Sequence, residues 1–132
     1  MPGQVTLTVT DLNTEPTQHR FTDHARCIVG RARDCDILLP SDGLHADVSR
    51  RHCLFEIYPP AVQVRDLGSR NGTYVNGELI GQRPRGESPD DTDSGQSPAH
   101  ELKDGDEVLV GHAVIRVAIL VSSDVLQPMY FM

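Results

Sequence analysis

Lysine is almost missing from this chain: Lys103 is the only one, and every other cation is an arginine. Cysteine is sparse as well. Cys27, Cys35 and Cys53 are odd in number and no two have Cys-x-x-Cys spacing. That pattern speaks against a disulfide framework and a cysteine-rich zinc site, and leaves free, buried or half-buried thiols. Long apolar runs are lacking too. The run that ends at Val121 is only a handful of residues, against the ~20 needed to span a bilayer. The N-terminus has no basic start followed by an apolar stretch, so no secretory signal is expected. These absences predict a cytoplasmic protein with no membrane partner. Nowhere does a 3.6-residue apolar stripe mark a helix.

What the chain does have is short runs of β-branched residues. Val5 to Val9 alternates apolar and polar, as in a half-buried strand. Further runs are Cys27–Val29, Ile37–Leu39, Cys53–Tyr58, Val62–Val64, Thr73–Val75, Leu79–Ile80, Val108–Val110 and Val114–Val121. Gly, Pro, Asn, Asp and Ser separate them, which predicts an all-β sandwich or barrel. Two Asn-Gly pairs, Asn71-Gly72 and Asn76-Gly77, suit type I′ hairpin turns. The pair at 76 and 77, between Tyr74-Val75 and Leu79-Ile80, is expected to be a turn and nothing more. The 132 residues make a single domain with its core over about 5–121. Residues 81–100 are proline-rich and acidic, with Ala99 the one plainly apolar residue. They are expected to form a mobile insertion. Within it Thr92, in an acidic setting, is a candidate phosphorylation site. Residues 122–132 form a C-terminal tail.

The net charge is −7, and a sequence-independent nucleic-acid binder is normally basic, so no nucleic-acid partner is expected. The distribution of charge says more than its sum. Arg31, Arg33, Arg50, Arg51 and Arg70 all fall in short polar connections between apolar runs. The three connections read Gly30-Arg31-Ala32-Arg33, Ser49-Arg50-Arg51-His52 and Gly68-Ser69-Arg70-Asn71-Gly72-Thr73. Each offers cationic or neutral donors and no acid. A phosphate monoester carries about −1.5 to −2 charges and three acceptor oxygens. Arginine forks and serine hydroxyls satisfy it if the loops converge. The Asn71 amide both donates and accepts, so it suits the backbone of a peptide crossing the loop tips.

In order and spacing, Gly30-Arg31, then Val48 to Cys53, then Asp66 to Gly77 and the late Leu102–Gly111 segment resemble the signature of the forkhead-associated (FHA) family. The resemblance covers roughly Val5 to Val121. It implies a two-sheet β-sandwich of about eleven strands, FHA/SMAD-like, with the ligand loops at one end. It also implies a phosphothreonine-binding module that is not an enzyme, serves Ser/Thr kinase signalling, and has a phosphothreonine-containing protein or peptide as its partner. That partner would be a Ser/Thr kinase or its substrate. The implied phosphopeptide contacts are Arg31, Ser49, Arg50, Arg70 and Asn71. Arg33, Arg51 and Ser69 are candidate secondary contacts. Gly30, His52, Gly72, Asn76 and Gly77 belong to the structural signature, with Gly30 allowing a close backbone approach and His52 bracing the second loop. Departures lie in the loops: residues 39–48 are long and bring Asp42, His45 and Asp47 near the site.

Other chemistries fit the sequence poorly. Ser49 and His52 stand three apart, but no oxyanion hole or glycine elbow surrounds Ser49. His45, His52 and Cys53 lack a paired zinc-ligand spacing. Residues 91–95 look superficially like a calcium loop but lack its later acidic ligand. No metal and no cofactor is expected. The serious alternative is a phosphate-independent interaction scaffold that uses a sheet face.

Overall fold

The computed structural model describes residues 3–12, 15–40, 47–83 and 97–121. Eleven strands follow in chain order: β1 (Gly3–Thr10), β2 (Thr17–Phe21), β3 (Ala25–Gly30), β4 (Ile37–Leu38), β5 (Cys53–Tyr58), β6 (Ala61–Asp66), β7 (Thr73–Val75), β8 (Glu78–Gly81), β9 (His100–Glu101), β10 (Glu107–Val110) and β11 (Ala113–Val121). They form a six-stranded sheet, β2-β1-β11-β10-β7-β8, and a five-stranded sheet, β4-β3-β5-β6-β9. The expected two-sheet sandwich is what the chain adopts. Among the described residues no helix is long and apolar enough to cross a membrane.

Alternation drives the packing. Val5, Leu7 and Val9 of β1 face inward, as do Ala113, Ile115 and Val117 of β11, all 5% exposed or less. Phe55 and Ile57 of β5 and Val62 and Val64 of β6 meet them from the other sheet. Each fully buried side chain of this size stabilises the fold by ~1.5–3 kcal/mol. Every interstrand pair is antiparallel except β3 with β4, where Val29 lies beside Ile37. The expected type I′ turn forms at Asn76 and Gly77, with φ of 51° and 87°. Asn76 also ties the hairpin to β10, donating through Nδ2 to Asp106 and accepting the Glu107 amide at 3.0 Å. Asn71-Gly72 is not such a turn, because only Gly72 has positive φ.

Two strands had no sequence signal. β2 reads TQHRF, is largely exposed, and pairs only with β1 at a sheet edge. β9 is two residues long and pairs only with β6. β9 also narrows the expected insertion, since His100 lies opposite Val64. Beside it Arg65 donates to the Ser97 carbonyl at 3.3 Å, and at the segment's other end Gly81 belongs to β8. Most of that segment, Thr92 included, and the tail at 122–132 lie outside the described residues, as do Asp42 and His45.

Strand directions decide what gathers at one end. β3 and β4 run in parallel and both finish there, as does β6, while β5 and β7 start there. The connections after β3, before β5 and between β6 and β7 therefore sit together. The β10–β11 turn at Gly111 and His112 joins them.

Candidate functional site

The first two arginine-bearing loops are bound to each other by backbone, and the third is tied to the second through the side chains of Ser49, His52 and Asn71. The Arg31 amide donates to the Ser49 carbonyl at 3.3 Å and the Ala32 amide to the Arg50 carbonyl at 2.9 Å. Gly30 makes this approach feasible: a Cβ there would fall 2.1 Å from the Arg50 carbonyl oxygen. Arg31, half-buried, also donates through Nε to the Val48 carbonyl, which leaves its two terminal nitrogens for a ligand. Cys35 adds a thiol donor to Arg50 O at 3.2 Å.

His52 is fully buried behind these loops. Its Nδ1 accepts the Ser49 amide at 3.1 Å and its Nε2 donates to the Gly72 carbonyl at 2.8 Å. That pair of partners fixes the neutral Nε2–H tautomer. Burial pushes its pKa below the usual histidine range, with the Gly72 carbonyl and Asp66 in partial opposition. Both ring nitrogens bond backbone, so His52 does not serve as a base for the Ser49 hydroxyl.

The third loop is wrapped around Asp66, which is also fully buried. Oδ2 accepts the amides of Gly68 and Ser69 at 2.8 and 2.9 Å. Oδ1 accepts the hydroxyls of Ser69 and Thr73 at 2.5 and 2.6 Å. Four donors satisfy the carboxylate without a cation, as a buried charge requires. Ser69, expected as a secondary phosphate contact, is corrected by this geometry. It is 0% exposed, donates to Asp66 and accepts the Gly72 amide at 2.9 Å. Its role is to shape the loop.

The remaining expected residues point outward. Ser49 Oγ accepts the Arg70 amide at 2.9 Å, which leaves the hydroxyl proton free to donate. Asn71 Nδ2 donates to the Asp47 carbonyl at 3.1 Å, so its second N–H and its Oδ1 remain for a ligand. Arg50, Arg33 and Arg70 are exposed, and no acid among the described residues pairs with them. Arg51 differs, because its guanidinium is paired with Asp34. The bond between them holds the Asp34 carboxyl below its usual range and raises the Arg51 pKa.

Sequence reading missed three supports of this end. Gln82 donates to the Arg70 carbonyl at 2.8 Å and the Arg83 amide to the Ser69 carbonyl at 2.7 Å. His112 Nδ1 lies 3.2 Å from Asp47 Oδ2, beside the loop that Asn71 grips. No motif signals such contacts, which arise where β8 ends and where β10 turns.

Among the described residues no group of three or more His, Cys, Asp or Glu could hold a metal ion. The three cysteines are free and buried. Burial pushes the Cys27 thiol up to about 12, helped by Asp36, and raises Cys35 and Cys53 as well. They are poor nucleophiles in this setting.

The FHA domain family model matches residues 27–111. The glycogen accumulation regulator GarA of Mycolicibacterium smegmatis is 43% identical over 58 residues, 44% of this chain and 34% of that protein. The oxoglutarate dehydrogenase inhibitor of Corynebacterium glutamicum is 35% identical over 89 residues, 67% of this chain and 48% of its own length. The chain thus spans between a third and a half of these relatives. Among solved structures, an FHA domain from work on phosphothreonine-dependent interactions superposes with a TM-score of 0.62 at 28% identity. That match covers 87% of this chain and 95% of the other. With the family model spanning all three arginine-bearing loops, this chain belongs to the FHA domain family.

Proposed function

We propose that the loop end binds phosphothreonine peptides and that the chain is a phosphorylation-dependent interaction module in Ser/Thr kinase signalling. One observation carries this reading. Ser49, Arg31, Arg50 and Asn71 present free donors from loops whose backbones are locked by buried groups. Preorganised donors of this kind suit a dianion and the peptide behind it, because little ordering remains to oppose binding. Arg31, Ser49 and Arg50 take the phosphate, Arg70 flanks it, and Asn71 holds the peptide backbone. Burial of the threonine methyl favours phosphothreonine over phosphoserine by about 0.8 kcal/mol, roughly fourfold.

We take the partner to be a Ser/Thr kinase or its substrate, met in the cytoplasm. Similarity to GarA and the oxoglutarate dehydrogenase inhibitor, whose names are those of a regulator and an inhibitor, supports a regulatory role. It also supports a binding role over catalysis. Titration calorimetry with paired peptides tests the proposal. The phosphorylated member binds and the unphosphorylated member does not. Equal affinity for both would favour the phosphate-independent scaffold.

A further inference from the structure

The arginines at the loop end outnumber what one phosphate needs. Residues 31–34 and 50–51 wall an open cleft of about 520 Å³, within the range of ligand-binding sites. Four arginines, Arg31, Arg33, Arg50 and Arg51, line it against one acidic residue, Asp34. Neither Arg70 nor Asn71 lines it, while Arg31 and Arg50 are shared with the phosphate site proposed above. A phosphate held by Arg31, Ser49 and Arg50 would leave Arg33 without an anion. It would also leave Arg51 with only an exposed partner.

We infer that this cleft is a second anion subsite, which takes a second phosphorylated side chain of the same peptide. The inference rests on the phosphothreonine reading above and adds to it. Arg33 supplies the free fork, since among the described residues it has no acidic partner. Arg51 supplies the second contact. Its pairing with Asp34 is solvent-exposed on both sides, and exposed pairs are cheap to rearrange, so a phosphate can share or replace that carboxylate. The backbone bonds between residues 31–32 and 49–50 hold both walls of the cleft to the first site. The two anions therefore bind within a range of separations set by the reach of Arg33 and Arg51, and only some peptide spacings satisfy both. Asp34 narrows the choice further. It disfavours a singly charged carboxylate, which brings too little charge to displace it, relative to a phosphate dianion.

The test uses the full chain and calorimetry with three sets of peptides. One set carries a single phosphothreonine with neutral neighbours. A second adds another phosphothreonine at each of the four positions on either side, and the third places glutamate there instead. At one spacing the doubly phosphorylated peptide binds at least tenfold more tightly than the single one, while glutamate gains less. The ratio of the two affinities, measured within Arg33→Ala, falls to about twofold, the statistical value for two alternative phosphates. No spacing with more than a twofold gain, or a tenfold gain that survives Arg33→Ala, overturns the inference. A gain from glutamate equal to that from phosphate overturns the choice of ligand. Failure of every singly phosphorylated peptide to bind would instead count against the first site, and so the two readings fail separately.

Discussion

Ser69 and Arg70 are neighbours in one loop, yet they belong to two different systems. Ser69, with His52, Asp66 and Thr73, is fully buried, and each of these polar groups meets partners inside the fold. Arg70, with Arg33 and Arg50, is exposed and keeps its guanidinium free. The buried set fixes loop shape, and the exposed set offers donors from that shape. A residue can thus be essential to binding without touching the ligand. Arg31 stands between the two, half-buried and with Nε bracing the Val48 carbonyl.

The sharpest way to break this comparison is to remove its buried hub. Asp66→Ala strands two hydroxyls and two amides, and is expected to lower stability by more than about 3 kcal/mol. The melting temperature then falls by roughly 10 °C or more, and peptide binding falls with it. A variant that melts within a few degrees of the parent would show that Asp66 is not the hub.

His52 comes next and brings a pH signature. His52→Ala removes two hydrogen bonds and a buried ring, for a loss of about 2–4 kcal/mol. In the parent, folding holds the ring neutral, so its pKa is depressed in the native state. Below about pH 6.5 the unfolded chain takes up a proton that the folded chain refuses. Stability therefore falls as pH drops below that value, by up to about 1.4 kcal/mol per unit from this residue. Urea denaturation between pH 7 and 5 should show a steeper acid loss in the parent than in His52→Asn. Equal slopes would mean that His52 titrates freely in the folded protein.

At the exposed rim the order reverses. Arg31→Ala should weaken phosphopeptide binding by about 1.5–3 kcal/mol, more than tenfold. The bond from Nε to the Val48 carbonyl makes Arg31→Ala cost about 1 kcal/mol of folding as well. Arg50→Ala is the cleaner contrast, with lower affinity in calorimetry and an unchanged melting curve. Binding that survived both variants would place the phosphate elsewhere.

The smallest effect belongs to the Arg51 and Asp34 pair, which is exposed on both sides. Asp34→Asn should leave the melting temperature where it is, since such pairs contribute little to folding. A clear thermal shift would show that the pair anchors the β3–β4 loop.

Much of the sandwich was legible because its central strands bury one face. Val5 to Val9 carries the period-2 mark of that burial, Val114 to Val121 is legible as a β-branched apolar run, and Asn76-Gly77 carries the conformational demand of its turn. β2 and β9 were silent because an edge strand of polar residues is held by its neighbour's backbone and not by its own pattern. Most of the site residues were legible as a motif, but their division of labour was not. In sequence Ser49 and Ser69 look alike. Burial separates them: Ser49 stays partly exposed, while Asp66 at the end of β6 draws Ser69 inside.

The sequence by itself determined the strand-rich class, the three arginine-bearing loops and the residue types that suit a phosphate. These are local properties: side-chain chemistry, alternation and turn preference act over a few neighbouring positions. The tertiary structure alone decided that Asp66 would collect four donors and that His52 would reach Gly72, 20 residues on, and tie it to Ser49. It also set Arg33 and Arg51 around one cleft and brought His112 to Asp47. Those pairings depend on strand order and direction, which bring distant loops to one end. Nothing in the spacing of the residues encodes them until the two sheets close on their core.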